Sequence, residues 1–487
     1  MFIRNSGNSS SLNELVLFAF DDVSLPWRHG LRLQLSSFRG SVDGPSNVVI
    51  GLGGPGMPDN RVVTYFGTVR RVHDELWMWY VGAGDKDDQW QQRVCLATSQ
   101  DGRTWTRPNL GLVEYNGATD NNLVDLVGGH GHVTMCLVFH EPDDPNPERQ
   151  FKMMYHDRIH HPSKMAVAFS PDGLRWNAWP GNPVGPFLEP IGGTKMNGAY
   201  LVNGQGGTHW SPSGHGRRLV TRTSYDFETW TEATSLGLRR DPLPPRPSVY
   251  GPHEGPQVHL GASLWNRGNI LVGFYGMWNG HPSNDRRLVW MNIGLVVSTD
   301  GLHFREPIPD FPIIEAMEVD WQHKPHGSAS THFPALMQGQ GFENIGDETL
   351  SWYAPWPEDD SDGIRVASWP RDRLGWLEPF LTADEGPHVI TAVIDPENHA
   401  LNLSLNVDGI STHSHLKVSV LDEQFQTVSG YGPDDLDGPI LSGLSHDVRW
   451  NAHDTITPME PFRLRFDFGG VRPEDVRLYA AYLHNSS

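Results

Sequence analysis

A chain of 487 residues is long enough for more than one hydrophobic core, and two or three domains are expected. Its formal charge of −21, from 37 basic and 58 acidic residues, argues against nucleic acid or an anionic membrane as a partner and reads first as a device for solubility. With 52 Gly and 38 Pro set between short apolar runs, and only Cys95 and Cys136, the composition points to a loop-rich all-β chain with buried free thiols, not a disulfide framework.

In the first 50 residues, Leu15 to Phe20 and Leu31 to Leu35 read as strand fragments, expected to act as an entry strand that closes the array below. The first is too short for a signal h-region and is closed by Asp21-Asp22. No stretch approaches the ~20 apolar residues of a membrane span. The reading is a cytoplasmic protein made without an export signal.

From Asp59 onward the chain repeats itself. Ser99-Gln-Asp101-Gly102-Arg-Thr-Trp105 returns as Ser170-Pro-Asp172-Gly173-Leu-Arg-Trp176 and as Ser298-Thr-Asp300-Gly301-Leu-His-Phe304. Ser224-Tyr-Asp226-Phe-Glu-Thr-Trp230 keeps the Ser, Asp and Trp, and a degraded fifth copy is read at Ser368 to Trp376, with Asp372 inside it. Each copy follows a strand-like run, such as Val94 to Thr98 or Met165 to Phe169. Asp-Gly favours a tight turn because Gly accepts positive φ and Asp bonds its own backbone. The spacing of roughly 50–75 residues is that of a four-stranded propeller blade. Five units follow: from near Asp59, then about 121–180, 193–236, 249–307 and 313–379. After Asp384 the texture changes to period-two alternation, as in Ala400 to Asp408, Leu416 to Leu421, Phe462 to Phe468 and Val476 to Tyr482. The expected fold is therefore all-β: a five-bladed β-propeller over 1–382, with an N-terminal extension over 1–50, then a β-sandwich over 383–487.

Propeller chemistry has a geometric address. The innermost strands line the central channel, so polar residues just before them converge at one mouth. Those residues are Asp59 and Arg61 in the first unit, His130 and His132 in the second, Lys195 in the third, and His253 and Glu254 in the fourth. Asp320, His323, His326 and His332 belong to the fifth. Two acids facing each other across a channel suit glycosidic cleavage, one protonating the leaving oxygen and the other activating water or attacking the anomeric carbon. Glu254 is read as the acid and Asp59 as base or nucleophile. Arg61, His132, Lys195, His253, His326 and His332 are read as binding the substrate, a small saccharide or glycoside. Trp77, Trp79, Trp210, Trp265, Trp278 and Trp321 supply flat faces for sugar rings. The turn residues Asp101, Asp172, Asp226 and Asp300 are read as scaffold, and so is Asp157. No cofactor or metal is expected.

The Ser-x-Asp-Gly-x-x-Trp turns, five units and trailing sandwich resemble the furanosidase clan of five-bladed propeller glycoside hydrolases, which includes arabinanases, xylosidases, invertases and levanases. The resemblance covers about residues 55–487 and implies hydrolysis or transfer of a glycosyl, possibly furanosyl, unit. That clan uses an Asp ahead of the first innermost strand, which Asp59 matches by position, and a Glu followed by Gly-Pro or Cys-Pro, which Glu254 matches in His-Glu-Gly-Pro. Two departures stand: Glu254 falls in unit four, not three, and His130 and His132 occupy the place of the clan's Asp in unit two. The turn is also similar to the Asp-box of sialidases, but those have six blades and an arginine triad not evident here. Three alternatives differ in kind: a lectin-like propeller that binds without catalysis, a metal-assisted lyase or hydrolase using His132, His253, His326 and His332 in a spacing that fits no standard zinc motif, and a repurposed enzyme of specialised metabolism.

Overall fold

The structure is a computed structural model. It describes all residues except 5, 9, 41–46, 86, 88–91, 127–132, 158–163, 187, 207–215, 241–253, 282–287, 317–334, 357–362, 381–385, 458–459 and 487. The described residues form an all-β protein of curled antiparallel sheets. None of its helices is long and apolar enough to cross a membrane.

Five sheets follow one another along the chain, each built as an antiparallel meander led by a long buried strand. These leading strands are Val62–Val72, Val133–His140, Glu189–Met196, Gly255–Asn266 and Leu336–Ile345. The fifth sheet takes its outermost strand, Val48–Ile50, from ahead of the first. The first and fifth leading strands also meet in a parallel bridge between Thr68 and Gln340. So the part of the N-terminal segment that closes the array is Val48–Ile50.

All five leading strands change register against their second strands, at Thr64/Thr68, Val133/Cys136, Pro190/Gly192, His259/Ala262 and Gln338/Phe342. A bulge at each increases local twist and re-aims the side chains around it. The bulges also bring backbones close. A Cβ on Gly192 would lie 1.7 Å from the Ala262 carbonyl oxygen, so only glycine fits there. Buried amides fill the backbone positions that these irregularities leave open. Gln340, fully buried, accepts from the Leu264 and Gly193 N–H groups and donates to the Leu264 carbonyl, so one side chain ties three leading strands. Asn203 makes the same two-way contact with Ala262.

Four of the repeated turns are built alike. In the first, Ser99 Oγ accepts from Gly102 N–H, Asp101 Oδ1 accepts from Arg103 and Thr104 N–H, and Trp105 Nε1 donates to the Gly102 carbonyl. The turns at Ser170, Ser224 and Ser298 repeat the Ser and Asp bonds. The stretch read as a fifth copy is different: Asp372 sits at φ 60° and is buried in an ion pair with Arg267. Burial pushes the Asp101 carboxyl up, but the Thr104 and Arg103 N–H groups and the Ser99 and Thr104 hydroxyls outweigh it and hold it at about 2. Asp172, Asp226 and Asp300 are lowered on the same pattern. A carboxylate lowered in the folded state contributes stability that is present above its unfolded pKa of about 3.9 and lost as pH falls through the folded value. Thermal midpoints should therefore fall between about pH 4 and pH 2, and Asp101→Asn should flatten that fall relative to the parent chain.

Apart from a two-stranded pair of Phe2–Ile3 with Ile394–Asp395, the remaining strands form two sheets around one core. One orders Gly443–Val448, Leu401–Asp408, Arg477–Asn485, Gly375–Pro379 and Leu31–Leu35, with Glu14–Phe18 also paired to Arg477–Asn485. The other orders Trp27–His29, His388–Ile390, Arg463–Gly470 and Ser414–Leu421. Leu403, Leu405, Val407, Val418, Leu464 and Phe466 alternate inward into the shared core. Two expectations need correction here. The strands within 1–35 do not close the array but pair with the C-terminal sheets, and so does Gly375–Pro379. The physical reason is that Val16, Phe18, Ala480 and Tyr482 together cover Ile270, Val272 and Phe274 of the fourth sheet, a burial that needs both ends of the chain.

Candidate functional site

The leading strands run in one direction. Thr68 Oγ1 of the first donates to the Cys136 carbonyl of the second and accepts from Val138 N–H. Asn266 Nδ2 of the fourth donates to Thr194 Oγ1 of the third. Their N-terminal ends therefore lie at one end of the array, and the Ser-x-Asp turns lie at the other.

At the N-terminal end of Gly255–Asn266, the half-buried Glu254 stands one residue before the strand. Gln257 fixes this corner: its Nε2 donates to the Glu254 carbonyl at 3.0 Å, and its Oε1 accepts from Arg217 N–H and Nη1 at 3.0 and 3.2 Å. The Arg217 guanidinium lies over the Trp278 ring at 4.2 Å. His259 stacks on Trp278, with centroids 5.6 Å apart and planes 24° apart, and touches Trp356 at 4.7 Å. Arg240 ties the Gln257 and Trp278 carbonyls and pairs with Asp310. On the second sheet, buried Thr134 and His156 share a 2.9 Å hydrogen bond. The result is a braced backbone corner that carries Glu254, on a strand whose Gln257 and His259 belong to an aromatic and cationic cluster with Arg217, Trp278 and Trp356. Of these residues, Arg217, Gln257, His259, His156 and Trp356 were not among the sequence candidates. The signal for two of them was present: Gln257 and His259 are two apart on a strand and so share a face.

Asp59 lies ahead of the first leading strand, as expected, but it is turned sideways and has no exposed surface. Its Oδ2 accepts from Tyr80 OH at 2.6 Å and from Arg107 Nε at 2.8 Å. Arg107 also donates to the Gly51 carbonyl, at the exit of the strand that completes the fifth sheet. Burial alone would lower the Arg107 guanidinium, but Tyr80 and Asp59 outweigh it and hold the cation charged. A group so enclosed cannot meet a substrate unless that clasp opens. Arg61 keeps its place at the same end, its Nη1 reaching the Asp87 carbonyl at 3.5 Å.

Lys195 requires a correction. The third leading strand starts at Glu189, not after Gly193, so Lys195 is next to its last residue. It lies beside Asn266, bonded to Glu141 and over the Tyr200 ring, at the end away from Glu254. Gly255 and Asn266 are the two ends of a strand of 12 residues, up to about 35 Å apart at the usual rise. Lys195 and Glu254 cannot touch one small saccharide. His132, His253, His326 and His332, with His130, Asp320 and His323, lie outside the described residues. Among the described residues no group of three or more His, Cys, Asp or Glu is placed to hold a metal.

The chain matches no protein-family model and no curated protein. Among solved structures it is similar to a glycosyl hydrolase from Bacteroides ovatus, at 15% identity and TM-score 0.45, over 70% of this chain and 95% of that one. It is similar to a structure from work on the GH130 family of mannoside phosphorylases and its glycoside hydrolases that target β-1,2 mannosidic linkages in Candida mannan, at 13% identity and TM-score 0.45, over 69% and 95%. It is also similar to an N-acetylgalactosamine deacetylase from F. plautii in complex with blood group B trisaccharide, at 11% identity and TM-score 0.42, over 70% and 96%.

Proposed function

We propose that the five sheets are the blades of a β-propeller, that the two-sheet unit is a β-sandwich, and that the chain is a glycosidase or glycosyl-transferring enzyme working at the mouth where the leading strands begin. Glu254 is the proton donor to the leaving oxygen. Arg217 and the Trp278, Trp356 and His259 rings form the floor on which the saccharide lies, and Arg61, with His132, His253, His326 and His332, takes part in binding it. The observation that supports this reading is the Gln257 brace, which fixes the backbone of the half-buried Glu254 at the start of the strand that also carries His259 in its stack with Trp278. A general acid needs a fixed geometry of that kind.

Asp59 fits this scheme only as a brace, so the second acid of the expected pair has no described candidate facing Glu254. Its enclosure favours a second reading, a propeller that binds saccharides without cleaving them. A panel of neutral aryl glycosides and disaccharides incubated with the full chain separates the two. Product release that disappears in Glu254→Gln supports the enzyme. Saccharide binding without product, in the parent chain, leaves the binding propeller.

A further inference from the structure

The six-stranded sheet uses one face twice. Along Arg477–Asn485 and Glu14–Phe18 this face packs on the fourth sheet through Val16, Phe18 and Tyr482. Beyond that contact it turns polar and opens into a groove of about 590 Å³. Asn402 and Ser404 rise from one strand, opposite His484 and Asp447 respectively on the two flanking strands. Ser445 joins them, its Oγ donating to Ser404 Oγ at 3.0 Å. Arg449 and Asp454 complete the wall.

Strand pairing sets these side chains in rows about 4.8 Å apart, alternating hydroxyl, amide, carboxylate and imidazole. A row of donors and acceptors at that pitch matches alternate equatorial hydroxyls on a sugar ring and offers little to an apolar ligand. The charges refine the match. Asp447 and Asp454, with Glu14 at the rim, outnumber Arg449, so an anionic ligand is repelled. We propose that this groove is a second saccharide site, taking a neutral oligosaccharide beside the junction of the two units. It stands whether or not Glu254 is a catalytic acid.

Saturation-transfer NMR on the full chain, with neutral disaccharides of gluco, galacto, manno and fructo configuration and with glucuronic acid as the anionic control, tests it. At least one neutral disaccharide should bind. Its affinity should drop about tenfold or more in Asp447→Ala and in Asn402→Ala and hold in Glu254→Gln. Ser445→Trp, which fills the groove, should abolish the groove's share of that binding, leaving only what the mouth takes, while the thermal midpoint stays at the parent value. No binding by any neutral sugar, equal binding of glucuronic acid, or binding lost in Glu254→Gln but kept in the groove variants overturns the proposal.

Discussion

Asp372→Ala should lower the unfolding free energy by about 3–5 kcal/mol, the usual loss when one partner of a buried ion pair is removed. The carboxylate is only 2% exposed, and Arg267 only 11%. Arg267 Nη1 reaches Asp372 Oδ1 at 2.5 Å, and Tyr482 OH donates to Oδ2 at 2.9 Å. Asn344 donates to the same carboxylate. Asn406 then links Tyr482 OH to the Arg371 carbonyl and accepts from Arg373 Nε. Arg267 cannot escape to water, because its guanidinium lies against Trp265 and Phe18. The loss is therefore an uncompensated cation in a nearly dry junction. Asp372 also sits at φ 60°, where Asn is tolerated far better than Ala. Asp372→Asn should consequently cost distinctly less than Asp372→Ala, and Arg267→Met in the Asp372→Ala background should recover part of the loss. Chemical denaturation of the four chains checks this ordering. Equal losses in Asn and Ala variants would show that neither the backbone nor the hydrogen bonds matter there.

That residue also marks where sequence reading stopped. The four true turns were legible because their logic is local: a Ser oxygen, an Asp carboxylate and a residue of positive φ lie within three positions of one another. Asp372 carries similar neighbours but answers to Arg267 and Tyr482, which no local pattern reveals. Strand partners failed for the same reason. Period-two alternation tells which face of Leu31–Leu35 is apolar, not that its partner is Gly375–Pro379. In the third unit the leading strand opens Glu189-Pro190 and carries Gly192 and Gly193, weak strand formers, so local propensity puts its start too late and Lys195 at the wrong end. The Gly-Pro setting singles out Glu254 locally, whereas the bonding of Gln257 to Arg217 and the stacking of His259 on Trp278 join different strands and leave no local mark.

Glu254 and Asp59, paired on sequence as two halves of one reaction, should respond to mutation in opposite ways. Glu254→Gln removes a proton from a half-buried corner without disturbing the brace, since Gln257 holds the backbone carbonyl, not the side chain. Turnover should fall by about 10²–10⁴, the usual contribution of a general acid, with the thermal midpoint unchanged. Asp59→Ala removes a fully buried acceptor from Tyr80 and Arg107. Arg107 keeps its bond to the Gly51 carbonyl and is 26% exposed, so its charge retains some contact with water and the loss should lie near the lower bound, about 3 kcal/mol. The folded fraction should turn over at close to the parent rate, because no described contact runs from Asp59 to the mouth floor. Asp59→Asn, which still accepts from Tyr80 and Arg107, should recover much of the stability and all of the rate. Active-site titration of the folded fraction, combined with denaturant melts, distinguishes the two outcomes. If Asp59→Asn is as stable as the parent chain and yet inactive, the clasp opens in use, and Asp59 is restored as the second acid.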